Sequence, residues 1–467
     1  MKHGLISTTP FRAASHFGLG ASAQDLAAIG NNPVDWVVGQ LQSGNSVVMP
    51  GLESASSQIA SYQQLRQGRQ RAKRMSGGDE ARISALEASQ RAYRVAVRDQ
   101  VQAGINARLH QAVSTPSPVR ERLAQFWSNH FTVSRTGRPQ IATACTAYEN
   151  EAIRPALDGH FAEMLLRVVS HPVMLLYLDN AQSVGPRSVA GKRRDAGLNE
   201  NLAREILELH TLGVDGGYTQ ADVTSLARIL TGWTLGSPQL QRLGATPGEF
   251  IFAEFMHEPG SHLLLGKEYR DTGAKQGVAA LRDLGLQPAT ARFVARKLVT
   301  HFVNDEPAAR DVDFVAKAFL ESDGHLPTVH RAVLTLSSAW NPENQKLKTP
   351  WELLVSTLRG LALPANGVRE FGTNVLRTMN HLPFSAPSPA GWPDTMDHWG
   401  SPTAIKQRIE WGVAVGRRLG NRMNAMEVAR HMIDSDRAGQ LMQSIARAES
   451  PAQGLALLLS SPNFQWR

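Results

Sequence analysis

Apolar residues recur every three or four positions along most of this 467-residue chain. That spacing places them on one face of an α-helix. Clear examples are PATARFVARKLVTHFV at 288–303 and TPWELLVSTLRGLAL at 349–363. Alternation typical of strands occurs in FIFAEFMHEPGSHLLLGKEY at 250–269, where a Pro-Gly pair suggests a turn. The pattern predicts a mainly α fold, a large multi-helix domain with at most one small β-hairpin.

Several helix starts can be read directly from the chain. Ser22 precedes an apolar-periodic run, Pro33 opens the next one, and Ser117 with Pro118 supplies a cap followed by a first-turn proline. We expect a single large helical domain over 1–467. Within it we expect an N-terminal helical subdomain at 1–115, a core at 116–363, and C-terminal loop and helices at 364–467.

Composition leaves the class of protein broad. The apolar share of 42% allows a large core, so general disorder is not expected. The formal charge of +8 is small for this length. The basic runs at 66–74 and 191–194 are more typical of a solvated helix face and a mobile loop, although they could also meet an anionic partner such as an acidic polymer. No specific nucleic-acid motif accompanies them. The single cysteine, Cys145, excludes an internal disulfide and a cysteine-based zinc site.

Targeting signals are not evident in the chain. No run approaches the ~18 apolar residues of a membrane span. The first 30 residues lack the continuous apolar core of a signal peptide. We therefore expect a cytoplasmic location, with a periplasmic or exported location as the alternative.

The stretch NENLAREILELHTLGVDGGYTQADV at 199–223 concentrates polar chemistry. A helix over about 200–212 would place Asn201, Arg204, Glu205 and Glu208 on one face, with His210 on the other side. Glu205 and Glu208 are three residues apart, so their carboxylates could share a cation or a proton. The same spacing also pairs Arg204 with acidic residues four positions away, which is typical of a solvated, salt-bridged face.

The rest of that stretch is explained by local structure. Gly213 suits a left-handed residue that ends the helix, and Gly216 with Gly217 suits a tight turn. Thr219 with Asp222 forms a capping-box pattern for a following helix. These residues need no catalytic role.

Other polar residues lie beside very apolar segments. His130 ends the aromatic-rich FWSNHF, where it is either packed or a tuned base. Asp179 and Asn180 follow the apolar helix ending in LLYL, where they face a cavity or cap that helix. Trp392 and Asp394 in PAGWPD suit a rigid substrate-facing loop, or a loop that simply covers the core.

The segment HEPGSH at 257–262 offers two histidines and a carboxylate. Such a set can bind a metal, but on a hairpin turn it is more often solvated. The chain contains no G-x-S-x-G, H-E-x-x-H, phosphate-binding loop or dinucleotide-binding motif.

Long segments of the chain resemble a known bacterial family. They include FWSNHFTVS, HPVMLLYLDNAQSVGP, GLNENLAREILELHTLGVDGGYTQADVTSLARILTGW, PAGWPD and LLLSSPNFQWR. Together they resemble the uncharacterised proteins catalogued as domain of unknown function 1800, and the resemblance covers nearly the whole chain. It implies no activity. It does imply an exported protein that accompanies a second uncharacterised family resembling secreted alkaline-phosphatase-type proteins. Gln287 stands where that family commonly has histidine.

Two functional hypotheses follow. In the first, the protein is a hydrolytic or metal-assisted enzyme with a carboxylate-rich site between helices, with a divalent metal as the candidate cofactor. Its catalytic residues would be Glu205, Glu208 and His130. Its substrate-binding residues would be Asp179, Asn180, Asn199, Glu200, Asn201, Arg204, Trp392 and Asp394.

In the second hypothesis the protein is a non-catalytic helical scaffold, or a binding partner of an exported protein or an acidic polymer. The two hypotheses predict different surroundings for Glu205 and Glu208. An enzyme should bury them in a pocket with a raised carboxylate pKa or a bound metal, whereas a scaffold should leave them exposed beside Arg204.

Overall fold

The computed structural model describes residues 8–42, 48–75, 80–193, 197–237, 240–241, 244–363 and 374–467. Side chains at 71–75, 80–83, 85 and 435 lie outside the description. The predicted basic runs therefore fall partly outside the described residues.

Helices account for most of the described chain, and the protein is mainly α, as predicted. In chain order the α-helices are α1 (Pro10–Arg12), α2 (Ala23–Ile29), α3 (Pro33–Gly39), α4 (Ala55–Met75), α5 (Glu80–Ser114), α6 (Pro118–His130), α7 (Cys145–Tyr148), α8 (Phe161–Val169), α9 (Pro172–Tyr177), α10 (Asn201–Glu205), α11 (Gln220–Ile229), α12 (Ala274–Gly285), α13 (Pro288–Phe302), α14 (Ala309–Glu321), α15 (Leu326–Leu334), α16 (Pro350–Gly360), α17 (374–378), α18 (Met396–Trp399), α19 (Pro402–Leu419), α20 (Ala425–Met432), α21 (Gly439–Ala446), α22 (Pro451–Ser460) and α23 (Pro462–Gln465). π-helical turns follow α1, α7 and α10, at Ala13–Phe17, Glu149–Ile153 and Ile206–His210.

Among the described residues, strands form two small antiparallel pairs. They are β1 (Trp233–Leu235) with β2 (Phe250–Phe252), and β3 (His262–Leu264) with β4 (Lys267–Tyr269). The single hairpin expected over 250–269 is thus divided, because its first part pairs with β1. The hairpin turns at Leu265 and Gly266, with φ of 49° and 76°, and not at the Pro-Gly pair. A two-residue turn with both φ positive matches the twist of the flanking strands.

The predicted helix starts are confirmed in position, but Ser117, at the N-cap position of α6, makes no capping hydrogen bond with its side chain. Ser22 caps α2 in a reciprocal capping box with Asp25, and Pro33 and Pro118 occupy the first turns of α3 and α6. Thr219 and Asp222 form the predicted box at the start of α11. These ends depend on neighbours within three residues, so the sequence is sufficient to place them.

The buried apolar side chains fall into two clusters. The larger runs from the first helices to Trp340 and includes Phe126 of α6. The smaller is built mainly from α16 to α23 and includes Trp351. None of the described helices combines the length and the apolarity needed to cross a membrane. The junction of the two clusters, where α5, α6, α13 and α16 meet, is where a cavity is found.

Candidate active site

The loop after Ala390 is fixed onto α6 by main-chain contacts. Gly391 has φ of +81°, and a Cβ there would lie 2.5 Å from the carbonyl oxygen of Asn129, so only glycine fits without a shift. The Asn129 amide donates to the carbonyl oxygen of Trp392 at 2.8 Å and accepts from the Trp392 N–H at 2.8 Å. The indole of Trp399 donates to the carbonyl oxygen of Pro393 at 2.8 Å. The loop is therefore held in one conformation beside α6.

Asp394, in this loop, holds a histidine of α13. Nδ1 of His301 lies 2.8 Å from a carboxylate oxygen of Asp394. Lys346 donates to the main-chain carbonyl oxygen of Asp394 at 2.6 Å and so holds the backbone of this residue in place. Because a carboxylate accepts, Nδ1 carries the proton and Nε2 presents its lone pair.

Burial and charge determine the protonation of this pair. Burial lowers the pKa of His301, although Asp394 opposes that shift. Burial alone would raise the pKa of the Asp394 carboxyl, but His301, Lys346 and Arg467 together lower it. At neutral pH the pair is a neutral imidazole held by an ionised carboxylate.

The other ring nitrogen of His301 is free. Nε2 is buried and has no hydrogen-bond partner among the described residues. The ring lines a cavity of about 90 Å³, here called the Trp392 cavity. Since one water needs about 10–15 Å³ of such space, the cavity holds several waters or one small chemical group. Its lining residues are Arg108, Arg122, Gln125, Phe126, Ser128, Asn129, Thr132, His301, Thr349, Trp351, Glu352, His381, Pro383, Phe384, Trp392, Pro393 and Asp394.

Arg108 of α5 brings a positive charge to this cavity. Its guanidinium carbon lies 4.7 Å from the ring centroid of Trp351 and 5.6 Å from that of Phe384. Its Nε donates to Glu149 at 2.8 Å, and no described residue accepts from its two terminal nitrogens. Arg108 therefore has donors left for a ligand.

A buried network supports this wall. Glu149 also accepts from Ser128 at 2.6 Å and from Arg154 at 2.6 Å. Burial would raise the pKa of Glu149, but Arg108 and Arg154 lower it to about 2. A second network joins Arg122 and Arg467 to the same carboxylate of Glu352. Both networks keep charged side chains in fixed positions behind the cavity.

The predicted acidic helix lies elsewhere. Only Asn201–Glu205 is α-helical, and Ile206–His210 is a π turn, so the helical wheel does not apply beyond Glu205. His210 is nevertheless buried and separate from the carboxylates, and Gly213 has the expected φ of 84°.

Glu200 and Arg204 form the salt bridge that the spacing indicates, at 3.2 Å. Gln220 and Thr224 of α11 donate to Glu200 at 2.8 and 2.6 Å, and they lower the pKa of its carboxyl. Arg204 also donates to Gln220 at 2.9 Å. These residues join α10 to α11, and none of them lines the Trp392 cavity.

Glu205 and Glu208 are half-buried neighbours. Burial, then repulsion from Glu208, raises the pKa of Glu205. Burial, and then Glu208, raises the pKa of the neighbouring Tyr218. The raised pKa fits the enzyme hypothesis, whereas the half-exposure and the adjoining Arg204 fit the scaffold. Neither carboxylate lines the Trp392 cavity.

The predicted amides and Asp179 have local partners. Asp179 has φ of 60° and accepts two hydrogen bonds from Arg138, at 2.5 and 2.9 Å. Asn180 is buried and donates to the carbonyl oxygens of Leu230 and Trp233.

Asn199 and Asn201 also bond to the backbone around them. The Asn199 side chain accepts from the Asn201 N–H at 2.9 Å, and the Asn201 amide donates to the Leu178 carbonyl oxygen at 3.4 Å. Each bond orders the chain between α9 and α10.

His130 is packed in an aromatic cluster. It is 1% exposed, and its Nε2 donates to the carbonyl oxygen of His210 at 3.1 Å. Rings of Phe126, Trp127 and Phe131 lie within 6.4 Å of it. Burial, Lys297 and His210 hold its pKa well below the usual range. His130 is therefore a neutral interior group.

In the part of the chain that the structure describes, no set of three or more histidine, cysteine or acidic residues is placed to hold a metal ion. In HEPGSH, Glu258 pairs with Arg187 at 2.6 Å, and Nδ1 of His257 bonds the carbonyl oxygen of Thr231 at 2.8 Å. That segment is tied into the fold by its own hydrogen bonds.

The structure brings two of the predicted site residues, Trp392 and Asp394, to one cavity, and the others lie away from its walls. Their main partner there, His301, was not singled out. On a helical wheel His301 lies about 20° from Val294, inside the apolar stripe of α13. A polar residue within an apolar stripe was the signal available in the sequence. Arg108 gives no comparable signal, because it is one of five arginines along α5.

A family model described as Protein of unknown function (DUF1800) matches residues 12–466, nearly the whole chain. Searches of curated proteins and of solved structures gave no significant match.

Proposed function

The chain belongs to the family of proteins of unknown function described as DUF1800, and we propose that it is a hydrolytic enzyme acting in the Trp392 cavity. His301 is the general base, Asp394 orients it, and Arg108 binds an anionic group of the substrate. Trp392 and the other aromatic rings of the wall contact the rest of the bound group.

The free Nε2 of His301 carries this proposal. Its Nδ1–H is held by Asp394, so the unprotonated nitrogen is the one with no partner. A carboxylate that fixes the tautomer and orientation of a histidine is the arrangement that general-base catalysis uses. Other buried histidines, such as His130, also have an unpartnered ring nitrogen, but His301 combines the free nitrogen with a carboxylate partner and a place in the cavity wall.

The choice of hydrolysis follows from what His301 lacks. No described hydroxyl or thiol hydrogen-bonds to its Nε2. The Ser128 hydroxyl donates to Glu149 instead, and burial raises the pKa of Cys145 to about 12. With no described hydroxyl or thiol hydrogen-bonded to Nε2, we assign a water as the group that the base activates. The size of the cavity suits a water beside a small group.

Arg108 supports an anionic substrate. Its Nε is held by Glu149 and its guanidinium carbon lies over the Trp351 ring, so two contacts position the terminal nitrogens. A guanidinium held in this way binds carboxylate or phosphate oxygens through two parallel hydrogen bonds.

An assay with chromogenic carboxylic, phosphate and sulfate esters tests the proposal. We expect the wild type to hydrolyse one ester class and His301→Gln to lose about 10²–10⁴-fold in kcat/KM. Asp394→Asn should also lose activity, because an amide at this position can donate to Nδ1 of His301 and so favour the tautomer with its proton on Nε2. His110→Gln, at an exposed position of α5, is the matched control and should retain the rate.

Because burial lowers the pKa of His301, the acid limb of kcat/KM should fall below pH ~6.5. If a folded His301→Gln variant hydrolysed the ester at the wild-type rate, His301 would not be the general base. A wild type that hydrolyses none of the esters would favour the scaffold or binding-partner hypothesis. Glu205→Gln belongs in the same series, since a retained rate would remove that carboxylate from catalysis.

A further inference from the structure

A second pocket shares no lining residue with the Trp392 cavity. It measures about 280 Å³, near the lower end of the range for small-molecule sites. Its walls come from the first helical turns, from the segments around 342–345 and 434–437, and from 462–466. Here it is called the Arg12 pocket. Its polar and apolar groups indicate a particular kind of ligand.

Arg12 brings a buried positive charge without a carboxylate partner. The side chain is 7% exposed and donates to the carbonyl oxygens of Ala339 and Asn344, at 2.6 and 3.0 Å. No described carboxylate lies at salt-bridge distance from it. Burial and repulsion from Arg437 and Arg467 lower the pKa of Arg12 to about 10, so it is charged at neutral pH. An anion bound here would relieve that repulsion.

Asp434 supplies the opposite charge in the same pocket. Its carboxylate accepts from the N–H of Asp436 at 3.2 Å and forms no salt bridge with a described residue. It is close enough to Arg12 to raise the pKa of the guanidinium, yet the two are not paired. An unpaired cation and an unpaired anion therefore line one small space.

The remaining walls include apolar surface. Phe11 and Trp466 contribute rings, and Pro342 and Pro462 contribute prolines. Such surface suits an apolar side chain that lies between the two charges.

We propose that the Arg12 pocket binds a free α-amino acid with an apolar side chain. Its carboxylate lies at Arg12, its ammonium group lies at Asp434, and its side chain contacts Phe11 and Trp466. A plain anion would face Asp434 and a plain amine would face Arg12, so only a ligand with both charges meets both groups favourably. This site is separate from the Trp392 cavity and does not depend on the proposed hydrolysis.

Calorimetric titration of the full chain with three matched probes tests this proposal. L-leucine carries both charges, 4-methylpentanoate lacks the ammonium group, and 3-methylbutylamine lacks the carboxylate. We expect saturable binding of L-leucine and at least tenfold weaker binding of the other two, since each loses one charge-assisted interaction.

Variants locate the site. Asp434→Asn should weaken L-leucine about tenfold, whereas Asp436→Asn, on the same exposed turn and not part of the wall, should not. Arg12→Lys keeps the positive charge but loses the planar guanidinium that binds a carboxylate through two hydrogen bonds. Because Arg12 also donates to two main-chain carbonyl oxygens, circular dichroism is used to check that this variant is folded. His301→Gln should leave the affinity for L-leucine unchanged.

The outcomes divide cleanly. Absence of L-leucine binding overturns the proposal, and equal affinity for 4-methylpentanoate reduces the pocket to an anion site and also overturns it. L-leucine binding that is unaltered in Asp434→Asn would place the amino acid elsewhere.

Discussion

The Trp392 cavity and the acidic helix around Glu205 contain the same residue types in opposite surroundings. Behind the cavity, the side chains of Arg108 and Glu149 are 11% and 0% exposed. On the acidic helix, those of Arg204 and Glu200 are 41% and 30% exposed. In the first region each charge depends on its partners, because water cannot replace them. In the second, water competes with the ion pair and the pair contributes little.

This difference determines what each region can do. Fixed charges in the interior present donors and a free nitrogen in constant positions, which binding and proton transfer require. Half-exposed charges can turn toward solvent, and here they mainly tie α10 to α11. A carboxylate-rich sequence is therefore weaker evidence for a site than a buried histidine that a carboxylate orients and whose free nitrogen lies at a cavity.

The largest expected effect concerns acidification of the interior. Burial lowers the pKa of His210, His330 and His381 to about 3 each. Below their unfolded pKa of about 6.5, the unfolded chain binds protons that the folded chain does not, so stability falls as the pH falls. Each should cost roughly 2 kcal/mol between about pH 7 and pH 5. Urea unfolding at both pH values measures this, and an unchanged midpoint would contradict the buried neutral state.

The second effect is a single substitution behind the cavity. Glu149→Gln leaves Arg108 and Arg154 without their shared charge in the interior, so it should lower the free energy of unfolding by about 3–5 kcal/mol. Chemical denaturation of the variant gives the value, with Glu208→Gln on the acidic helix as the matched control. A loss below about 1 kcal/mol would mean that water reaches this network.

The smallest effect should have the opposite sign. Glu205→Gln removes a carboxylate whose pKa is raised by burial and by Glu208, so repulsion is relieved. We expect a slight gain in stability, a few tenths of a kcal/mol. The same denaturation experiment decides this. A clear loss would show that Glu205 has an attractive partner, such as a bound cation, and would revive the metal-assisted hypothesis.

Local features were predictable wherever a few neighbouring residues control them. Ser22 and Thr219 cap their helices because their partners lie three residues away. The rigid loop with Trp392 and Asp394 was recognisable from its prolines and glycine. The π turn after Glu205 could not be predicted from the sequence, because its hydrogen-bond pattern depends on how α10 packs. The hairpin was displaced because β2 pairs with β1, which lies earlier in the chain and is separated from β2 by residues 236–249.

By itself, the sequence determined the mainly α class, the helix starts and the family, since these depend on periodicity, on short-range hydrogen bonds and on long matched segments. Only the tertiary structure decided which polar residues meet. His301 and Asp394 are 93 residues apart along the chain and Arg108 lies on a third segment. No local pattern encodes such a meeting, because it follows from how α5, α6, α13 and α16 pack around one cavity. Packing also decides which carboxylates are buried, and therefore which of them can take part in binding or catalysis.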